Sequence, residues 1–108
     1  MGAMDPSLSA AYDACRRLQL RHDPTYYWAT RRLPSEVRLA VHALYAFVRE
    51  ADEIVDGPGR AADPALRRAE LDRYEQRLRE ALAGQPSRDP AITALVDAGR
   101  RHALPLGT

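Results

Sequence analysis

The chain has 108 residues, with 16 basic against 15 acidic side chains for a formal net charge of +1, and it is 45% hydrophobic and 29% charged. That length allows one compact core, and the balanced charge excludes a single-signed field that would draw the whole molecule to nucleic acid or anionic lipid. No apolar run is long enough to span a bilayer, no secretory signal is evident, and the lone Cys15 cannot close an internal disulfide, so a cytoplasmic or membrane-peripheral setting is expected. Every basic residue is arginine. This suits bidentate phosphate recognition, although a genome-wide codon bias explains it more simply.

Apolar residues recur at helical spacing through most of the chain, and no strand-like alternation is seen, so the fold class is all-α. Residues 1–6, Met1 to Pro6, read as a vector-derived remnant, with native sequence starting near Ser7. A first helix is expected from about Ser9 to Leu20. An aromatic-rich short helix or turn follows from Thr25 to Arg32. Leu33-Pro34-Ser35-Glu36 opens the longest helix, which runs to Asp56 and is stopped by Gly57-Pro58-Gly59. Asp63-Pro64 starts a fourth helix with Leu71, Tyr74, Leu78 and Leu82 on one face and Gly84 past its end. Asp89-Pro90 starts a last helix carrying Ile92, Leu95 and Val96, expected to fray toward Ala103-Leu104-Pro105. Cys15 reads as a small buried hydrophobe.

The longest helix is the chemically informative one. Its apolar positions Val37, Val41, Leu44, Val48, Ala51 and Val55, widened by Ala40, form a stripe expected to face a core. Beside it, Tyr45, Arg49, Asp52 and Asp56 fall within roughly 60° of one another, with His42 one turn earlier. Glu50, Asp52, Glu53 and Asp56 crowd the C-terminal turns, where the helix dipole is already negative and each carboxylate costs on the order of 0.3 to 1 kcal/mol. A cation is therefore expected at this end. Magnesium fits, because it takes one or two carboxylates, retains water and accepts diphosphate oxygens, and Arg49 is placed to hold such an oxygen. The competing reading is a solvated acidic helix end in which Arg49 pairs with Glu53 at i+4.

The segment from Ala43 to Asp56, ALYAFVREADEIVD, resembles the A-x-Y-A-F-x-R-x-x-D-(D/E)-x-x-D block of squalene and phytoene synthases. Upstream, His22 to Ala29 (HDPTYYWA) is similar to the family's H-x-x-(S/T)-F-(Y/F)-x-A stretch, and Leu33-Pro34 follows at the matching interval. The resemblance implies the N-terminal helices of an isoprenoid-synthase-type bundle, incomplete in this chain, with residues 7–108 as the N-terminal part of such a domain. Enzymes of this family join two C15 or C20 prenyl diphosphates head to head to make squalene, dehydrosqualene or phytoene, using two facing aspartate-rich motifs that hold two or three magnesium ions. NADPH takes part only in the squalene-type reaction.

Carried over on matching positions, Asp52 and Asp56 are expected magnesium ligands and Tyr45 and Arg49 catalytic contacts to diphosphate or intermediate. His22, Thr25 and Tyr26 are expected to touch substrate, and Tyr27 and Trp28 to help wall the cavity. Asp23-Pro24, Arg32 and Glu53 depart from the usual pattern without removing a metal ligand. A second aspartate-rich motif is absent from these residues, so the chain alone is expected to be inactive, with Leu104-Pro105-Leu106 resembling a linker to further helices and either self-association or a missing C-terminal portion completing the bundle. An alternative function is a non-catalytic assembly or interaction protein; such relatives tend to lose the motif aspartates, which this chain retains.

Overall fold

A computed structural model describes residues 4–102. It holds five helices among them, α1 (Pro6–His22), α2 (Pro24–Thr30), α3 (Ser35–Asp56), α4 (Pro64–Leu82) and α5 (Pro90–His102), and the chain is all-α as expected. Four of the five begin at an Asp-Pro step, and each aspartate caps its own helix. Proline fixes the φ of the first turn at a position whose amide has no partner to lose. The preceding carboxylate then accepts a free amide hydrogen. Asp5 takes the Ser7 amide at 3.2 Å, Asp23 the Tyr26 amide at 3.3 Å, and Asp63 and Asp89 those of Ala65 and Ala91 at 2.9 Å. This is why α1 starts at Pro6, three residues before the expected Ser9. Asp5, inside the segment read as a vector-derived remnant, is its cap.

Helix ends follow equally local rules. Gly84, just past α4, takes φ +106°, a left-handed conformation that glycine adopts without a Cβ penalty. Gly57 ends α3 in an extended conformation, and a Cβ there would lie 2.5 Å from the Glu53 carbonyl oxygen. The expected fraying beyond Ala103 lies outside the described residues.

Helices α1, α3 and α5 pack against one another around small side chains. Ala11 and Cys15 of α1, Ala43 and Ala46 of α3, and Ala91, Ala94 and Ala98 of α5 let the backbones approach closely, with Tyr12 and Leu95 filling the remaining volume. Tyr12 donates to Asp97 at 2.7 Å, tying α1 to α5. A second cluster joins α4: Tyr74, Ala81, Ile92 and Val96 are buried beside Phe47, Ile54, Leu78 and Leu82. The Phe47 and Tyr74 rings stack at 4.9 Å. Cys15 is buried as expected, and burial pushes its thiol up to about 12, so it stays protonated and unreactive.

Helix α2 is held by a directional hydrogen-bond chain running through the interior. His42 of α3 donates from Nδ1 to Gln19 Oε1 of α1 at 2.5 Å, Gln19 Nε2 donates to Thr30 Oγ1 of α2 at 3.2 Å, and Thr30 donates to the Tyr26 carbonyl at 2.8 Å. All three side chains are buried, so each polar group needs the next. Tyr27 stacks on His42 at 5.8 Å and closes the junction. Burial, helped by the charges of Arg16 and Arg38, pushes His42 down to about 4, which keeps the imidazole neutral at pH 7.

A second, half-buried titratable group opposes it. Glu50 of α3 accepts from the Tyr74 hydroxyl at 2.8 Å. Burial, reinforced by the neighbouring Asp89 carboxylate and only partly offset by the Tyr74 bond, raises the Glu50 carboxyl to about 7. The two shifts have opposite consequences for stability. His42, depressed from 6.5, contributes fully above that pH and loses its contribution as pH falls toward 4. Glu50, raised from 4.5, contributes below that pH and loses its contribution as pH rises through 7. Between pH 6.5 and 4.5 the slopes oppose, so the melting temperature should vary little. Thermal melts followed by circular dichroism should show His42→Gln gaining several degrees relative to its own pH 7 value on acidification to pH 5, and Glu50→Gln losing a similar amount. Parallel curves for both variants and the parent would contradict this assignment.

Candidate functional site

Helix α3 has two apolar faces, and the described residues bury only one. The buried side presents His42, Ala43 and Ala46, flanked by Leu39, Phe47 and Ile54. The stripe expected to face a core lies roughly 150° away around the helix at 100° per residue. Only its edge, Ala40 and Ala51, joins the core, and Val41 is half-buried. Val37, Leu44, Val48 and Val55 are 41%, 52%, 48% and 37% exposed, so among the described residues this stripe faces no core. The physical reason is shape. The opposite face carries the alanines that admit α1 and α5 closely, whereas a ridge of valines and leucine does not.

The Tyr45, Arg49, Asp52 and Asp56 column runs along the border between these faces. Tyr45 is partly covered because the ring of Tyr26, from the first turn of α2, stacks on it at 6.2 Å with 26° between planes. Burial and the nearby Asp23 carboxylate raise the Tyr45 phenol above its ordinary value, while Arg49 pulls it the other way. Tyr26, Asp23, Tyr45 and Arg49 therefore meet at one place. His22, the last residue of α1, and Arg49 line the same hollow of about 620 Å³, together with Glu53 and Tyr74. Thr25 is exposed on α2, and no side-chain bond ties it to the column.

Arg49 is paired through one guanidinium nitrogen and, among the described residues, left without a partner at another. Its Nη2 lies 2.9 Å from Glu53 Oε1, the i+4 pair of a solvated helix end. Its Nε is shielded from solvent and has no acceptor among the described residues. A buried donor without a partner costs roughly 1 to 3 kcal/mol, and an anionic acceptor arriving at this point would remove that cost. The pair with Glu53, more than a third exposed at both side chains, contributes little by itself.

Asp52 and Asp56 are both exposed, one helical turn apart, at the negative end of the α3 dipole. Among the described residues no group of three His, Cys, Asp or Glu side chains converges as a metal cage. Two carboxylates open to water are nonetheless a suitable donor set for magnesium, which keeps several waters and takes its remaining oxygens from phosphate. The donor chemistry fits one wall of a shared ion. It does not amount to a self-sufficient site.

The aromatics split. Tyr27 is buried in the core against His42, whereas Tyr26 and Trp28 are exposed, with Trp28 edge-on to Tyr27 at 5.5 Å and beneath the Arg31 guanidinium. Sequence spacing did not single out Gln19 or Thr30, the two links from His42 to the Tyr26 backbone. The signal available was a histidine on an otherwise alanine-lined helix face. In the sequence Glu50 is one of four crowded acids, whereas its side chain accepts from Tyr74. Its position about 160° from Asp52 on the helical wheel is the feature that separates it.

Comparison with known proteins identifies the family. The squalene/phytoene synthase family model matches residues 19–108. The chain is 42% identical over 98 residues to a 15-cis-phytoene synthase of Synechococcus elongatus, covering 91% of this chain and 30% of that protein. It is 39% identical over 83 residues to phytoene synthase 3 of Zea mays, covering 77% of this chain and 19% of that protein. With a chloroplastic phytoene synthase of Daucus carota it shares 40% over 79 residues, covering 73% and 19%. The chain thus spans less than a third of the length of these relatives. No solved structure matches it. The matched region includes His22, Tyr26, Tyr45, Arg49, Asp52 and Asp56, and the chain belongs to the squalene/phytoene synthase family.

Proposed function

We propose that this chain supplies one aspartate-rich wall of a transferase that condenses two prenyl diphosphates head to head in carotenoid biosynthesis. The names of the similar proteins favour phytoene as product. The observation that carries the reading is the border position of the Tyr45, Arg49, Asp52 and Asp56 column. A charged diphosphate laid on the acidic end of α3 would leave its prenyl chain against the exposed Val37, Leu44 and Val48 ridge. Asp52 and Asp56 present their carboxylates to magnesium, and the Arg49 Nε donates to a diphosphate oxygen. Tyr45, neutral and held by Tyr26, offers a hydroxyl beside the same group. The apolar ridge excludes water from the allylic carbon, where a cation must not meet a nucleophile other than the second substrate. Magnesium, when bound, would supply the positive charge that makes diphosphate a better leaving group.

Calorimetry with a non-ionisable C20 thiolodiphosphate analogue tests the assignment. Binding should require magnesium and weaken at least tenfold in Asp52→Asn/Asp56→Asn, and equal binding by that variant would refute it. Incubated with magnesium and C15 or C20 diphosphates, the 108-residue chain should release no hydrocarbon, because only one of the two carboxylate walls is present.

The exposed ridge of α3 also favours association. Four large apolar side chains aligned on one helix form a patch of the kind that soluble monomers seldom leave open. Light scattering should give an average mass above the 12.1 kDa of one chain, rising with concentration, and Leu44→Ser/Val48→Ser should lower it toward that value without loss of helical signal. A monomer across the concentration series would rule this out.

A further inference from the structure

Away from the acidic end of α3, a hollow of about 480 Å³ opens where α1, α2 and the first half of α3 meet. Three arginines from three helices converge on it: Arg16 of α1, Arg31 at the end of α2 and Arg38 of α3. The Tyr27 hydroxyl accepts from Arg16 Nη1 and from Arg31 Nη1, both at 3.3 Å, and so holds two guanidinium groups on one oxygen. Arg38 donates to the Arg31 carbonyl at 3.3 Å, which draws the third toward them. Like charges repel, and an anion bound between these groups would relieve that repulsion.

Built-in acid is insufficient. Asp13 is the carboxylate lining the hollow, and it is divided between Arg16 at 2.9 Å and Arg17 at 3.1 Å. Among the described residues Arg31 and Arg38 take part in no ion pair. The surplus positive potential registers on nearby groups. The Tyr27 phenol is held below its ordinary value, chiefly by its Arg16 bond, and Arg16 and Arg38 add to burial in disfavouring a charged His42. Ser9 adds a hydroxyl at the rim, while Tyr12 and Leu39 supply apolar wall. Guanidinium forks suit the paired oxygens of phosphate, and the apolar wall suits a carbon-bearing substituent.

We propose that Arg16, Arg31 and Arg38 form a second anion site, separate from the Asp52 and Asp56 end, that takes a phosphate-bearing small molecule. Arg38 and Asp52 are 14 positions apart on α3, or about 21 Å along the helix axis, too far for one diphosphate to bridge. The site needs no metal and does not rest on the reading of the aspartates.

Titrating the 108-residue chain with inorganic pyrophosphate in excess EDTA, followed by calorimetry, separates the two regions because the aspartates cannot act through a metal there. Saturable binding is expected, weakened at least tenfold in Arg31→Gln/Arg38→Gln and weakened again when ionic strength rises from about 0.05 to 0.2 M. If circular dichroism shows that the double variant is unfolded, Arg31→Gln alone carries the comparison, since Arg31 is exposed. A parallel sedimentation with phosphatidylglycerol vesicles, against phosphatidylcholine vesicles, identifies the source. Arginine-dependent binding of pyrophosphate marks a soluble phosphate, and arginine-dependent binding of anionic vesicles alone marks a lipid headgroup. Binding of neither probe, binding that survives the arginine substitutions, or binding lost only in Arg49→Gln would overturn the proposal.

Discussion

The rest of the structure depends on which face helix α3 buries. Its sequence has two apolar faces and a polar border, and α1 and α5 can cover only one of them. The face with Ala43 and Ala46 wins because small side chains permit close backbone approach, and alanines on α5 and Ala11 with Cys15 on α1 answer them from the other side. Dispersion is gained most where surfaces interlock without gaps. Once that face is inside, the orientation of every other residue on the helix follows. Glu50 must point to Tyr74, His42 must find Gln19, and the Tyr45 to Asp56 column is left at the edge.

The interior polar groups complete the placement. A neutral, buried His42 and a half-buried Glu50 each cost desolvation, and each is satisfied by a partner on a different helix. The His42, Gln19 and Thr30 chain ends on the backbone carbonyl of Tyr26, the residue whose ring stacks on Tyr45. Core and candidate site are thereby connected through α2. This connection gives the aromatic cluster two jobs. Tyr27 packs the junction, while Tyr26 reaches the site.

The distribution of charge has the same logic. A net charge of +1 conceals two opposite ends of one helix. Exposed acids gather in the last turns of α3, where the dipole makes them unfavourable without a cation, and near its first half three arginines share the one carboxylate of Asp13, with Arg31 and Arg38 in no ion pair among the described residues. Each concentration is a departure from what stability alone would select. Such departures are where binding is to be sought.

Local structure was determined by the sequence alone. The Asp-Pro steps at 63 and 89, Gly57 and Gly84 set helix limits through φ restriction and amide capping, rules that act within four residues. The acidic column was legible for the same reason, because helical periodicity is local, and the two matched blocks identified the family. Tertiary structure decided what periodicity leaves open. A helix with two apolar stripes does not reveal which one packs, and the bulkier stripe of Val37, Leu44, Val48 and Val55 proved to be the exposed one. Nor can spacing on one helix place Gln19 beside His42, Tyr74 beside Glu50, or three arginines of three helices around one hollow. Those contacts arise from the mutual rotation of packed helices, and that rotation is set by the fit of alanine surfaces far apart in the chain.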